Sequence, residues 1–321
     1  MAIKEFSIYK LHFTSPLHIS NNREDYGVSL KTYSSDSFYA AITSTLSKLG
    51  VDIPVDGYLG CVISSLFPYY QESSDSVATF FFPKPFSFSF ELSDLNSVKR
   101  IKKVEWIDKA YLELIINGKD VSSDSMTNDI QGTYLTGNKI ETDFIHSDVC
   151  ERVAVDKNHG DSTPFYIDRL FFRDNSGLFF IAEGDTSLLD KALPLLSLEG
   201  IGTDRNVGYG LFSFEKKSIK ITLPDKADYG LSLSVFIPED SEQLKTLVNS
   251  NSCYELQKRG GWISTAPYNL LRKNTIYALM PGSVLYGTGV ICGKIVDLAP
   301  QGLIKHPVWR CGRSLFIPII N

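Results

Sequence analysis

Positive charge is scarce for a chain that would coat a nucleic acid unaided: 32 Lys and Arg stand against 37 Asp and Glu, a formal net charge of −5. Long apolar runs are missing too. No stretch of about eighteen apolar residues occurs, so no membrane-spanning helix is expected. The opening "MAIKEFSIYK" interrupts its apolar pattern with charges, so a secretory signal is not expected either. The five cysteines (Cys61, Cys150, Cys253, Cys292, Cys311) are odd in number, widely spaced and never arranged as C-x-x-C. They indicate neither a zinc site nor a disulfide framework, and a reducing cytoplasm is the expected location. Histidines and carboxylates form no cluster of metal-ligand spacing, so no metal or cofactor is expected.

What is present fits a soluble globular protein: 43% of the 321 residues are hydrophobic and 12% aromatic, enough for two domains of ordinary size. Charge is unevenly divided. Residues 251–321 sum to +6 and the first 250 to −11, which permits a basic face on one half and an acidic one on the other.

Tyr9, Leu11 and Phe13 alternate with Lys10 and His12, predicting a half-buried first strand. Phe38, Ile42, Thr45/Leu46 and Leu49 recur at helical spacing, predicting a helix capped by Ser35 and stopped by Gly50. "ATFFFPKPFSFSF" (residues 78–90) predicts a strand, and the polar residues 117–149 a long loop or protruding hairpin. "RLFFRDNSGLFFIAEG" (169–184) flanks turn chemistry with two apolar runs and predicts a hairpin. "SLLDKALPLLSLEG" predicts a helix that Pro194 must kink or shorten. A strand, "YGLFSFE", follows. The order strand, helix, strands, helix, strand is that of a split βαβ, ferredoxin-like unit. After residue 216 the strands "SIKITL" and "GLSLSVFIP", a short helix at Ser241–Leu247 and later strands predict a second, smaller unit of the same type. The expected division is residues 1–216 and 217–321.

Between that second helix and the strand lies "LEGIGTDRNVGYGLFSFE" (198–215), with the glycine pairs Gly200/Gly202 and Gly208/Gly210 around Asp204 and Arg205. A dinucleotide fingerprint needs G-x-G-x-x-G after a strand and opening a helix, and a phosphate loop of the Walker kind needs Gly-Lys-Ser/Thr. Here the order is helix, loop, strand and no such lysine occurs, so both cofactor readings fail. Two readings remain. Glycine amides and Arg205 can meet a phosphodiester, with Tyr209 stacking on a base; or the loop is a tight turn with Arg205 paired to Asp204 or Glu199.

At Gly200-Ile-Gly202-Thr203-Asp204-Arg205-Asn206-Val207-Gly208-Tyr209-Gly210 the sequence resembles the glycine-rich loop of the RAMP superfamily of CRISPR-associated proteins. "SPLHIS" after the first strand, "SSDSFYAAI", "ERVAVDKNHG" and the C-terminal "HPVWRCGRSLFIPI" (306–319) narrow the resemblance to the fourth Csm subunit, of the Cas-five group, in type III-A interference complexes. Ser20 and Lys157 depart from that pattern, where glycine and arginine are usual, and residues 50–150 carry no alignable motif.

The resemblance implies an α+β fold of two ferredoxin-like (RRM-like) domains with insertions. It implies a non-catalytic scaffold that holds the repeat-derived 5′ tag of the guide (CRISPR) RNA. The implied protein partners are the large polymerase-like subunit and the backbone subunit, with no membrane. The RNA-contacting candidates carried over are His18, Arg152, Lys157, Gly200, Gly202, Thr203, Asp204, Arg205, Gly208, Tyr209 and Gly210. Trp309 is expected between the domains and Arg310 bracing the glycine loop or an acidic partner. Independently of the family, His18 reads as the end-cap of a strand, Arg152 as a local pair of Glu151, and "LQKRGGW" (256–262) as either an RNA contact or a solvated turn.

The rival is a metal-independent endoribonuclease of the same superfamily, with His18 as general base or acid. A third reading is an adaptor with no RNA role.

Overall fold

The computed structural model describes residues 1–20, 26–88, 95–119, 123–155, 162–287 and 292–321. The chain is a mixed α+β protein. Its first strand, β1 (Ala2–Phe13), is followed by α1 (Ser35–Lys48), β2 (Cys61–Ile63), β3 (Phe67–Tyr70) and β4 (Thr79–Pro83). Next come α2 (Leu95–Lys102), β5 (Trp106–Asp108), α3 (Lys109–Ile116), α4 (Ser123–Asn128), β6 (Ile130–Gln131) and β7 (Tyr134–Leu135). β8 (Ile145–Val155), β9 (Ser162–Phe172), β10 (Gly177–Gly184), α5 (Ser187–Glu199) and β11 (Phe212–Leu223) complete the larger part. The remainder holds β12 (Tyr229–Ser232), α6 (Ser241–Leu247), β13 (Leu256–Arg259), β14 (Ile276–Leu279), β15 (Val284–Tyr286), β16 (Ile295–Asp297), β17 (Trp309–Cys311) and β18 (Phe316–Ile319).

Among the described residues, the large sheet runs β11-β1-β10-β3-β4-β5-β7-β6, with β2 paired to β10. β1 lies antiparallel between β11 and β10, with Phe13 opposite Phe212 and Leu11 opposite Leu178. α1 and α5 pack against each other on this sheet. Phe38, Ile42, Thr45 and Leu46 of α1 are buried as their spacing predicts, each large apolar side chain contributing roughly 1.5–3 kcal/mol. Leu49 ends 46% exposed, because the helix has already stopped: Gly50, at φ +68°, turns the chain. Ser34, not Ser35, is the N-cap; the Ser35 hydroxyl instead accepts the Val235 N–H at 2.9 Å.

Several expectations need correction. β1 is buried on both sides, since Phe6 and Ile8 lie inside along with Tyr9, Leu11 and Phe13. Pro194 neither ends nor shortens α5: it sits exposed on the outer face, and the helix continues to Glu199. Residues 117–149 are not one loop, for they contain α4 and the β6–β7 pair that extends the large sheet. The protruding hairpin is instead β8–β9, paired from Ile145–Phe172 outward to Val155–Ser162. Residues 169–184 turn tightly at Asn175 (φ +64°), yet β9 and β10 do not pair with each other. β9 leaves with β8, while β10 enters the centre of the large sheet. "YGLFSFE" and "SIKITL" are one strand, β11, so a division between residues 216 and 217 falls inside it.

β12 pairs with β15 and β18, and β13–β14 and β16–β17 are two-stranded ribbons. Leu231, Leu233, Val284, Leu315, Ile317 and Ile319 belong to the same buried cluster as the large sheet, so the main core is continuous across both parts of the chain. Among the described residues no helix is long and apolar enough to cross a membrane.

Candidate nucleic-acid interface

The glycine loop connects α5 to β11, and it closes on itself. Gly200, the C-cap of α5, has φ +77°; a Cβ there would sit 2.4 Å from the Tyr209 carbonyl oxygen. A Cβ on Gly210 would lie 1.9 Å from the Ile201 oxygen. The Ile201 N–H donates to the Gly210 oxygen at 3.0 Å, so the two ends of the loop are laced together. Gly202, at φ +84°, rests on the first segment: a Cβ would meet the His18 oxygen at 2.4 Å. Only side chains lacking a Cβ fit these three places. Gly208 differs, with φ +88° and nothing within 4 Å of a would-be Cβ.

The loop lies on the "SPLHIS" segment through main-chain bonds. The Thr203 N–H and hydroxyl both donate to the His18 oxygen, at 2.9 and 3.2 Å, and the Gly210 N–H donates to the Pro16 oxygen at 2.8 Å. The Leu211 N–H goes to the Ser15 hydroxyl at 2.9 Å. Val207, Gly208 and Tyr209 N–H groups return to Asp204 and Arg205 carbonyls. That leaves the consecutive amides of Asp204, Arg205 and Asn206 without a hydrogen bond among the described residues. They sit at the crown of the loop, where Asp204 (φ +59°) reverses the chain into a short 3-10 turn, Arg205–Val207. A run of free amides through a left-handed residue is a concavity suited to an anion.

The Arg205 side chain is exposed at this crown, and no hydrogen bond or ion pair ties it to the described residues. The expected pairing of Arg205 with Asp204 or Glu199 is absent because both acids are taken: Asp204 by Arg152 at 3.0 Å and Glu199 by Lys48 at 2.7 Å. Arg152 reaches there from β8, so its partner is Asp204 and not the neighbouring Glu151. Its guanidinium also donates to the Tyr209 hydroxyl and lies 5.0 Å from the centre of that ring. Tyr209 is only 7% exposed under this cover, so it is a brace between loop and hairpin and presents no open face to a base. Lys157 lies outside the described residues.

His18 is fully buried. Its Nδ1 is 2.7 Å from the Asp168 carbonyl oxygen, which can only accept, so Nδ1 carries a proton. Nε2 is buried with no partner among the described residues. Asp168, which the sequence does not single out, organises this corner. Its carboxylate accepts from the Ser29 N–H at 2.8 Å and from the Ser147 hydroxyl, joining the segment after β1 to the base of the hairpin. From there β8–β9 projects with Val149, Val153, Val155 and Tyr166 each more than half exposed.

The C-terminal signature lies elsewhere. Trp309 covers Gly57, a Cβ on which would touch the indole at 3.0 Å. Arg310 does not brace the glycine loop; its Nη1 lies 3.0 Å from the Ser37 hydroxyl and 3.4 Å from the Asp36 carboxylate, at the start of α1. Arg259 of "LQKRGGW" takes both oxygens of the same carboxylate, at 2.8 and 2.7 Å. Trp262 carries the Arg272 guanidinium 4.9 Å from its ring centre. Among the described residues no group of three or more His, Cys, Asp or Glu side chains is placed to hold a metal.

Residues 225–319 match the family described as CRISPR Csm4 C-terminal domain. Curated relatives carry the same name. The chain is 26% identical to the CRISPR system Cms protein Csm4 of Thermococcus onnurineus over 246 residues, 71% of this chain and 74% of that one. It is 23% identical to the protein so named from Streptococcus thermophilus over 302 residues, 90% and 91% of the two chains. Its fold is similar to that of a chain in the crystal structure of a Csm1-Csm4 cassette in complex with cA4, with a TM-score of 0.60, 19% identity and 98% of each chain covered. A chain of a Csm3-Csm4 subcomplex of the type III-A CRISPR-Cas interference complex matches at a TM-score of 0.59 and 19% identity, over 99% of this chain and all of that one. The chain is therefore similar over most of its length to proteins named Csm4, and its residues 225–319 match the CRISPR Csm4 C-terminal domain.

Proposed function

We propose that the chain is the RNA-binding scaffold subunit of a type III-A Csm effector, holding the 5′ repeat-derived tag of the guide RNA and performing no chemistry of its own. The observation that carries the reading is the crown of the glycine loop: three consecutive free amides beside an exposed, unpaired Arg205, held rigidly by the His18 segment below and by Arg152 from the hairpin. In this reading Arg205, Thr203 and the Asp204–Asn206 amides meet phosphates, and Gly208 leaves room for the strand. Gly200, Gly202, Gly210, Tyr209 and Arg152 shape the crown, and His18 supports it through its carbonyl. Trp309 and Arg310 hold the C-terminal part onto α1.

The protein partners are the large polymerase-like subunit and the backbone subunit, as the named Csm1-Csm4 and Csm3-Csm4 assemblies of similar chains suggest. We read β1, α1, β3, β10, α5 and β11, in the strand order β11-β1-β10-β3, as a ferredoxin-like unit with the other elements inserted. A second unit begins in the segment after β11, close to residue 225 where the family match starts. The working compartment is the cytoplasm.

The test uses the chain co-expressed with the large subunit and end-labelled guide RNA, with and without its 5′ tag, in EDTA. Tag-dependent retention of intact RNA that Arg205→Ala abolishes is the expected result. RNA shortened at one repeat position, and left whole by His18→Ala, would establish the endoribonuclease. Association with the large subunit unchanged by any crown substitution, with no RNA retained, would establish an adaptor.

A further inference from the structure

A cleft of about 700 Å³ opens between α1 and the C-terminal part of the chain. Its lining includes the apolar Ala40, Val308 and Trp309, with Ser44 of α1 and Lys273 also on its wall. The size is that of an ordinary ligand site. Lys273 is half-buried, and its ammonium forms no hydrogen bond or ion pair with any described residue.

The charge around it is unbalanced. Arg259, Arg310 and Lys273 gather about one carboxylate, Asp36, whose two oxygens are already taken by the guanidiniums. Two positive charges are thus uncompensated in a largely buried place. Burial pulls Lys273 down to about 8; Arg310 and Arg259 add to the shift, and Asp36, already held by both guanidiniums, only partly opposes it. Among the described residues the one carboxylate on the cleft lining, Asp52, makes no ion pair.

We propose that this cleft binds a segment of a protein partner in which one carboxylate side chain is flanked by apolar residues, the carboxylate pairing with Lys273 and the apolar groups packing on Trp309 and Val308. A phosphate ligand fits less well. It carries more than one charge and is held by arginine forks or several N–H donors, whereas both guanidiniums here are committed to Asp36. One free ammonium matches one carboxylate. The site is remote in kind from the loop crown and needs no RNA, so it stands or falls separately from the guide-binding reading.

The test is saturation-transfer NMR on the full chain without RNA, using millimolar N-acetylated, C-amidated Leu-Glu-Phe, its Leu-Gln-Phe counterpart, and phenyl phosphate. The glutamate peptide is expected to bind about tenfold more tightly than the glutamine peptide. Lys273→Met should erase that difference. Ser44→Trp, which fills the cleft from the outer side of α1, should remove binding of both while leaving the thermal midpoint in place. Equal binding of the two peptides overturns the proposal, as does no signal from either. Phenyl phosphate binding in preference to the peptides overturns it in favour of a phosphate site.

Discussion

Arg310 and Asp36, 274 residues apart, meet at 3.4 Å under cover of the protein, with the Asp36 side chain 1% exposed. Each stands in a stretch that the sequence marks separately, "HPVWRC" near the end and "SSDSF" at the start of α1. The pair, with Arg259 between them, fastens the C-terminal part to the first helix. Burial alone would raise the Asp36 carboxyl; Arg259 and Arg310 outweigh it and hold the carboxyl below the ordinary range.

Asp36→Asn removes the charge and leaves two guanidiniums facing each other in a dry place. It should destabilise the chain by about 3–5 kcal/mol, measured by urea unfolding. Arg310→Ala should cost less, since Arg259 keeps both carboxylate oxygens, and should weaken subunit assembly more than RNA retention. Equal loss of assembly and RNA in a reconstitution would contradict that distinction.

The same cluster predicts opposite behaviour at the two ends of the pH scale. Asp36, depressed in the fold, contributes stability above the ordinary carboxylate range that is lost as pH falls through its folded value. Asp36→Asn should therefore show a flatter acid limb. Lys273 is held at about 8 against an ordinary 10.5, so its charged form weakens the fold at neutral pH and the penalty fades as pH rises from about 8 to 10.5. Lys273→Met should stabilise the chain at pH 7 by about 1–2 kcal/mol after allowance for partial exposure, with the advantage shrinking over that window. Parallel stability curves for the two proteins between pH 8 and 10.5 would refute the assignment.

The glycines divide by what a methyl group would meet. Gly202→Ala drives a Cβ against the His18 oxygen and should unfold or loosen the loop, lowering the thermal midpoint clearly. Gly208→Ala meets open space and bears only the cost of its left-handed backbone, about 1–2 kcal/mol. Equal effects of the two would mean that packing does not set the requirement.

Arg205→Ala and Arg152→Ala should separate contact from support. The first removes an exposed, unpaired guanidinium: no change in thermal midpoint, weaker guide retention, and a salt dependence shallower by about 0.7 per lost phosphate contact. The second also frees Asp204 and uncovers Tyr209, so it should lower both stability and retention.

Much of this was legible in the sequence, for definite reasons. Local periodicity marks α1 and α5 because one face of each is buried, and the glycine spacing marks the loop because three of those glycines have no room for a side chain. Pairing over distance was not legible. Nothing around Arg152 points to Asp204 over the adjacent Glu151, and nothing around Arg205 says that its neighbouring acids are occupied. The turn at residues 173–176 reads as a hairpin because its chemistry is a hairpin's; only the tertiary fold sends β9 and β10 to different partners. Asp168, central to the corner around His18, lacks any local signature.

The way the loop ties itself shut bears on how such a motif should be interpreted in other chains. Three of its four paired glycines answer to the chain's own carbonyls at Tyr209, Ile201 and His18, not to a ligand. A descendant of this protein that had shed its nucleic acid altogether would still need them to thread the connection between α5 and β11. The glycine pattern is thus a signature of ancestry in the fold, and the residue that reports on present use is the unencumbered arginine at its tip.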